Sequence, residues 1–352
     1  LFNNTTGRNN VAVGCGALQS NTTAYGNTAV GFQAMLSSTT ARSNTALGYK
    51  ALCLNTTSEG NTAVGNSALS RTTGQRNTAV GNYSLGFNTT GIYNTAVGHY
   101  TLLSNTTGTR NTAIGNNSLQ ANTTGCGHTA IGFCAMASST IARTNVAVGC
   151  GALRDNIQAE KITAIGTSAL MRTTAGSNTA VGWYVLALNT TGTRNTAVGH
   201  YASCGNTFGS NNTSIGNCAL LLNTTGNSNT AVGFNSGCTI TTGACNVILG
   251  SATAVGFETQ NCNIFISDGA GNIRIFATGS TGAVGINNTS PISKLHISGS
   301  ASAGTIEATA VVTLTPSDPL PTVGVPTGSF AVSSSIPPKP YFYDGTSWNA
   351  LF

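Results

Sequence analysis

"NTAVGNYSLGFNTTGIYNTAVGHYTLLSNTTGTRNTAIG", residues 77 to 115, states nearly the same phrase three times. With the Gly that closes each NTAVG-like phrase as a marker, the phrase recurs at Gly14, Gly31, Gly48, Gly65, Gly81, Gly98, Gly115, Gly132, Gly149, Gly166, Gly182, Gly199, Gly216, Gly233 and Gly250. Twelve of the fourteen steps are 17 residues and two are 16. A period this short and strict means a solenoid in which each copy is one coil.

The columns of the repeat are sharply defined. Val, Ile or Leu precedes the marker in all fifteen copies, Ala stands before it in thirteen, and Leu or Met follows the marker by four residues in twelve of the first fourteen. These columns are expected to form an apolar wall, with Val30, Val64, Val97 and Ile131 on one strand and Leu52, Leu102 and Leu170 on a second strand after the marker. Asn stands four residues before the marker in thirteen copies, among them Asn27, Asn44, Asn61, Asn77, Asn94 and Asn111; His128 and Ile162 replace it in the other two. Stacked in register, such amides can bond up the column as a ladder.

Asn, Thr and Gly in every copy, with a β-branched residue before Gly, disfavour helix and suit a short strand ended by a turn. Alternation puts Thr and Val of N-T-A-V on one face and Asn and Ala on the other. The fold class expected is all-β: a parallel β-solenoid, or β-roll, of 17-residue coils with a small β-rich C-terminal region. Fifteen coils stacked at strand spacing span on the order of 70 Å.

A longer period overlies the short one. The two 16-residue steps begin 101 residues apart, at Gly65 and Gly166, and the same offset aligns "GFQAMLSSTTAR" with "GFCAMASSTIAR". Six coils have the pattern of a duplicated block. After Gly250 the pattern dissolves, which divides the chain into a shaft (1–250), a β-rich transition (251–298) and a linker with a Pro- and aromatic-rich C-terminal region (299–352). Tyr341, Phe342, Tyr343 and Trp348 flank a D-G turn, as in a hairpin, and are the candidate recognition residues.

The combination of "NTAVG" coils with "VGINNTSPISKLHISG" resembles the head repeats of trimeric autotransporter adhesins and virus or phage tail-fibre proteins, over about residues 3 to 298. The resemblance implies a homotrimer coaxial with a fibre and a role in attachment to a host or surface, at an extracellular, cell-surface or virion location. The 17-residue coil departs from the shorter adhesin period, and no coiled-coil heptads follow it. A head-to-tail extracellular filament is the alternative assembly, and an ice-binding solenoid a third reading that the N-T-A motif fits less well than T-x-T would.

The composition narrows the chemistry. Only 6% of the 352 residues are charged while 40% are hydrophobic, so the chain can bury a core. Its net charge of +6 is dilute and forms no run of the kind nucleic-acid binding needs, and no stretch of 18 apolar residues would insert in a membrane. A cell-surface glycan or receptor is the partner expected beyond the chain itself. The eight acids form no convincing catalytic pair, Asp155 with Glu160 being the nearest. The four His and ten Cys show no metal-ligand spacing; Cys238 and Cys245 are the local thiol pair to test. No enzyme activity, cofactor or metal is therefore expected. Asn-Thr-Thr recurs at Asn21, Asn55, Asn88, Asn105, Asn122, Asn189 and Asn223, formally glycosylation sequons, although turn chemistry accounts for them without glycans.

Overall fold

Every NTAVG phrase becomes one three-residue strand in the computed structural model, which describes residues 2–298, 316–317, 330–333, 340–343 and 346–350. β1 (Val11–Val13), β2 (Thr28–Val30) and their successors up to β15 (Val247–Leu249) each pair in parallel with the strand of the next coil. The register is strict: each column pairs with the same column of the next coil, as in Thr28↔Thr45, Ala29↔Ala46 and Val30↔Leu47. The described residues contain no helix, so none is long and apolar enough to cross a membrane. The fold is the parallel β-solenoid that the period implies.

Two expectations need correction. The segment after the marker is not a second strand but a chain of turns, in which Lys50 and Leu52 hold left-handed backbone at φ 53° and 51°. Each such residue costs about 1–2 kcal/mol. Leu52 offsets this by full burial, worth about 1.5–3 kcal/mol, and by donating its backbone N–H to Ala68 O of the next coil at 3.0 Å.

The second correction concerns which face of the strand lies inside. Asn and Ala point inward, Thr and Val outward: Ala29, Ala46 and Ala63 are fully buried, whereas Val30, Val64 and Val97 are half-buried and Ile131 is exposed. Val30, Val64, Val97 and Ile131 therefore belong to the outer face, while Leu52, Leu102 and Leu170 are in the core as expected. The reason is the width of the coil. A 17-residue loop has room for one large side chain per layer, and Leu from the turn fills it against the small Ala of the strand.

The exceptions to the repeat confirm this pairing. Where Ser203 replaces the Leu, Ser214 of the next coil replaces the Ala, and the two buried hydroxyls bond at 2.8 Å. Where Gly237 replaces the Leu, Ile248 replaces the Ala, and the Ile side chain occupies the space that Gly leaves. The marker itself must be Gly. Gly48 has φ 137°, and a Cβ there would lie 2.5 Å from the carbonyl oxygen of Gly65.

Both sides of the interior are closed by amide columns. In the first, the backbone N–H of Asn44 donates to Asn27 Oδ1 at 2.9 Å, and Asn44 Nδ2 donates to Ser58 O at 2.9 Å. Asn61, Asn77, Asn94 and Asn111 repeat the arrangement, so this ladder ties each strand to the strand before it and to the far wall of the following coil.

Beyond the fifteenth coil, β16 (Ile264–Ser267) continues the parallel sheet. β17 (Ile273–Ala277) and β18 (Val284–Ile286) then add in antiparallel fashion, and β19 (Leu295–Ile297) is parallel to β18. Here Phe257, Phe265 and Phe276 pack with ring centroids 5.0–5.1 Å apart and fill the end of the interior. Residues 251–298 thus extend the same sheet. Clustering of contacts separates Leu1–Gly299 from Ser300–Phe352 as two compact units. In the second, β20 (Pro316–Ser317), β21 (Phe330–Ser333), β22 (Pro340–Tyr343) and β23 (Trp348–Ala350) form a four-stranded sheet.

Candidate functional site

The surface of the coil stack offers two distinct features. The first is the outer face of the sheet, where the Thr column and the Val, Ile or Leu column run side by side without a charged residue from β1 to β15. Large apolar side chains stand in water along it, Leu47 being 47% exposed and Ile165 39%. Just past the marker, aromatic side chains of successive coils stack on one another: Phe32 on Tyr49 at 5.4 Å, and Trp183 on His200 at 4.8 Å with ring planes 8° apart.

The second feature is a groove of about 310 Å³ on the turn side of the coils marked by Gly31 to Gly81. Its lining includes Gln33, Lys50 and Tyr83, each two residues after a marker Gly, and Leu54, Arg71 and Phe87, each six residues after one. The Arg71 guanidinium lies 4.9 Å from the centre of the Phe87 ring, and the Lys50 ammonium 5.2 Å from that of Tyr49. Cys53 lines the same groove; burial pushes its thiol pKa up, and the nearby Lys50 charge opposes that shift.

The structure distributes the sequence-predicted residues as follows. Tyr341, Phe342 and Tyr343 are on β22 and Trp348 is on β23, paired antiparallel with Tyr343 opposite Trp348, while the D-G turn expected between them lies outside the described residues. The sequon column lies inside the coil: Asn21, Asn55, Asn88, Asn105, Asn122, Asn189 and Asn223 are all fully buried. Asn105 Nδ2 donates to Asn88 Oδ1 at 2.7 Å, and Asn122 Nδ2 to Asn105 Oδ1 at 2.7 Å. The first column also bonds amide to amide, as from Asn44 Nδ2 to Asn27 Oδ1 at 3.2 Å, and this second column is the tighter ladder. The folded coil has no space for a glycan on these nitrogens, which corrects the glycosylation sites. The sequence signal was present in the fixed seven-residue distance of these Asn from the marker, since a free turn residue has no need of a fixed register.

His128 is a working ladder residue. Its Nδ1 accepts the backbone N–H of Asn145 at 3.3 Å, and its Nε2–H donates to Ala142 O at 2.8 Å. Burial holds its pKa down at about 4, although the two backbone bonds pull it upward. The neutral ring is the form that fits this geometry. Asp155 is paired with Arg154 at 2.9 Å. Asp268 accepts from Asn272 and Arg274, which lower its pKa to about 2. No group of three or more His, Cys, Asp or Glu able to hold a metal occurs among the described residues. All ten thiols are free, and it is Cys245 and Cys262, not Cys238 and Cys245, that occupy equivalent places in adjacent coils, each immediately before a ladder Asn. Comparison with protein families, curated proteins and solved structures returns no match.

Proposed function

We propose that the chain is a structural fibre protein: a stiff homotrimeric shaft, outside the cell or on a virion, that presents a binding region for attachment. The observation that carries this reading is the uncharged, half-exposed apolar column on the outer face of the sheet. Monomers rarely expose a contiguous apolar patch larger than a few hundred Å². This column follows fifteen strands over on the order of 70 Å. A second copy repeats at the same spacing, so column against column removes apolar surface from water at every coil in turn. Two interior ladders and a packed Leu column make each coil rigid against its neighbours, as a spacer requires. Binding by three copies on one rod would then gain from avidity.

Light scattering of the purified chain with electron micrographs of the same sample tests the assembly. Trimers of a single length are expected; a chain that stays monomeric at micromolar concentration overturns the shaft, and filaments of varied length replace the trimer by head-to-tail polymerisation. Deleting residues 313–352 is expected to abolish binding to target cells, and unchanged binding overturns the C-terminal aromatics as the recognition region.

A further inference from the structure

The repeat unit is nearly uncharged, yet the first part of the chain carries bases with almost no acids to meet them. Up to residue 154 there are seven Arg and Lys50, against Glu59 alone. Two of these cations, Lys50 and Arg71, line the same groove, Lys50 two residues and Arg71 six residues after its marker Gly. Among the described residues the ion pairs are Arg154–Asp155 and Arg274–Asp268, so neither groove cation is neutralised by a carboxylate. Arg71 is steadied at the groove by the Phe87 ring, and the Lys50 ammonium lies over the neighbouring Tyr49 ring.

The rest of the groove is amphipathic. Leu54, Tyr83 and Phe87 offer apolar surface, and Gln33 a carboxamide. A volume of about 310 Å³ is at the lower end of small-molecule sites. We propose that this groove binds an acidic sugar, whose carboxylate or sulfate sits between Lys50 and Arg71 and whose ring lies against Tyr83 and Phe87. Guanidinium and ammonium both form charge-assisted bonds to such groups, and a pyranose supplies the apolar face and the hydroxyls that the remaining walls can meet.

The duplicated block provides an internal control. At the 101-residue offset Lys50 becomes Gly151, Leu54 becomes Asp155, Cys53 becomes Arg154 and Phe87 becomes Leu188, while Arg71 and Tyr83 are kept as Arg172 and Tyr184. In that block Asp155 satisfies Arg154 within the same turn. The backbone is reproduced, Gly151 keeping the left-handed turn at φ 63° against 53° for Lys50. One coil design thus carries an unpaired cationic groove in one block and a self-neutralised turn in the other. The assignment does not rest on the shaft reading, since the groove is built within one chain.

Saturation-transfer NMR on the full chain at low salt tests it, with 3′-sialyllactose, N-acetylglucosamine 6-sulfate and lactose as probes. Transfer to one or both anionic sugars and none to lactose is expected, and the two anionic probes tell a carboxylate from a sulfate site. Lys50→Gly, which copies the second block, and Arg71→Gln are each expected to weaken binding at least about tenfold. Lys50→Arg should retain it, and so should Arg110→Gln, which removes a charge elsewhere. Equal transfer to lactose, no transfer to either anionic sugar at about 10 mM, or unchanged binding in both Lys50→Gly and Arg71→Gln would overturn the assignment.

Discussion

The two 101-residue blocks, residues 31–131 and 132–232, share most of their interior, with Leu102 and Ala113 of the first matched by the bonded pair Ser203 and Ser214 of the second, and differ more in their exterior. Inside, Met35 corresponds to Met136, Leu52 to Leu153, Ser38 to Ser139, Thr72 to Thr173 and Asn88 to Asn189. Outside, Tyr49 corresponds to Cys150, Lys50 to Gly151 and Leu54 to Asp155. Interior positions are fixed by close packing, where one methylene too many or too few is felt. Exterior positions on the turns touch water and are free to change charge and size. The Asn ladder is the informative middle case, because His128, four residues before the second block opens at Gly132, matches Asn27, four residues before the first opens at Gly31, and Ile162 stands where Asn61 does. A ladder position accepts a substitute when the substitute meets the same backbone groups or leaves only a local break.

Where the interior is shared, the blocks should respond alike to interior damage. The largest effect is expected from Gly48→Ala and its counterpart Gly149→Ala, whose new Cβ atoms would meet the next coil's backbone at 2.5 and 2.6 Å while the residue is held at φ above 130°. Each should cost at least about 3 kcal/mol, read by denaturant unfolding. A large difference between the two variants would break the equivalence. Leu52→Ala and Leu153→Ala come next, at about 2–5 kcal/mol each from lost transfer energy and the cavity left behind.

The third prediction concerns the ladder substitution. The pKa of His128 is depressed to about 4 in the folded chain from 6.5 unfolded. Below pH 6.5 the unfolded chain takes up a proton that the folded chain refuses, so stability is full above pH 6.5 and falls as pH drops toward 4. The loss is about 3 kcal/mol over that window. His128→Asn should remove this part of the pH dependence, and Asn27→His should install it in the preceding six coils. Equal pH dependence of the parent and His128→Asn would show that the ring leaves the ladder. The smallest effect belongs to the exterior: Asp155→Asn breaks the exposed pair with Arg154 and should change stability by less than about 0.5 kcal/mol.

Much of this was legible because a solenoid writes its layers into the chain one after another. The strand at each N-T-A-V, the need for Gly after it, the first Asn ladder and the burial of Leu52 follow from spacing alone. The antiparallel pairing of β22 with β23 was equally local, between neighbouring aromatic segments. The turn geometry after the marker was missed because Leu rarely adopts left-handed backbone, and only full burial in the coil makes that conformation worth its cost. The inner position of the sequon Asn was missed because Asn-Thr-Thr-Gly has the same composition whether its amide faces water or a neighbour 17 residues away. The cationic groove was out of reach for a related reason: Gln33, Lys50, Arg71 and Tyr83 come from four coils and meet only once those coils are stacked.

By itself, the sequence determined the period, the parallel register and the coil count, since each is a property of residues at fixed separations. It also determined that Val and Ala lie on opposite faces, but not which face is inside. That choice belongs to the tertiary structure. A 17-residue coil encloses room for one large side chain per layer, so the turn's Leu takes the interior against Ala and the Val column is left on the surface.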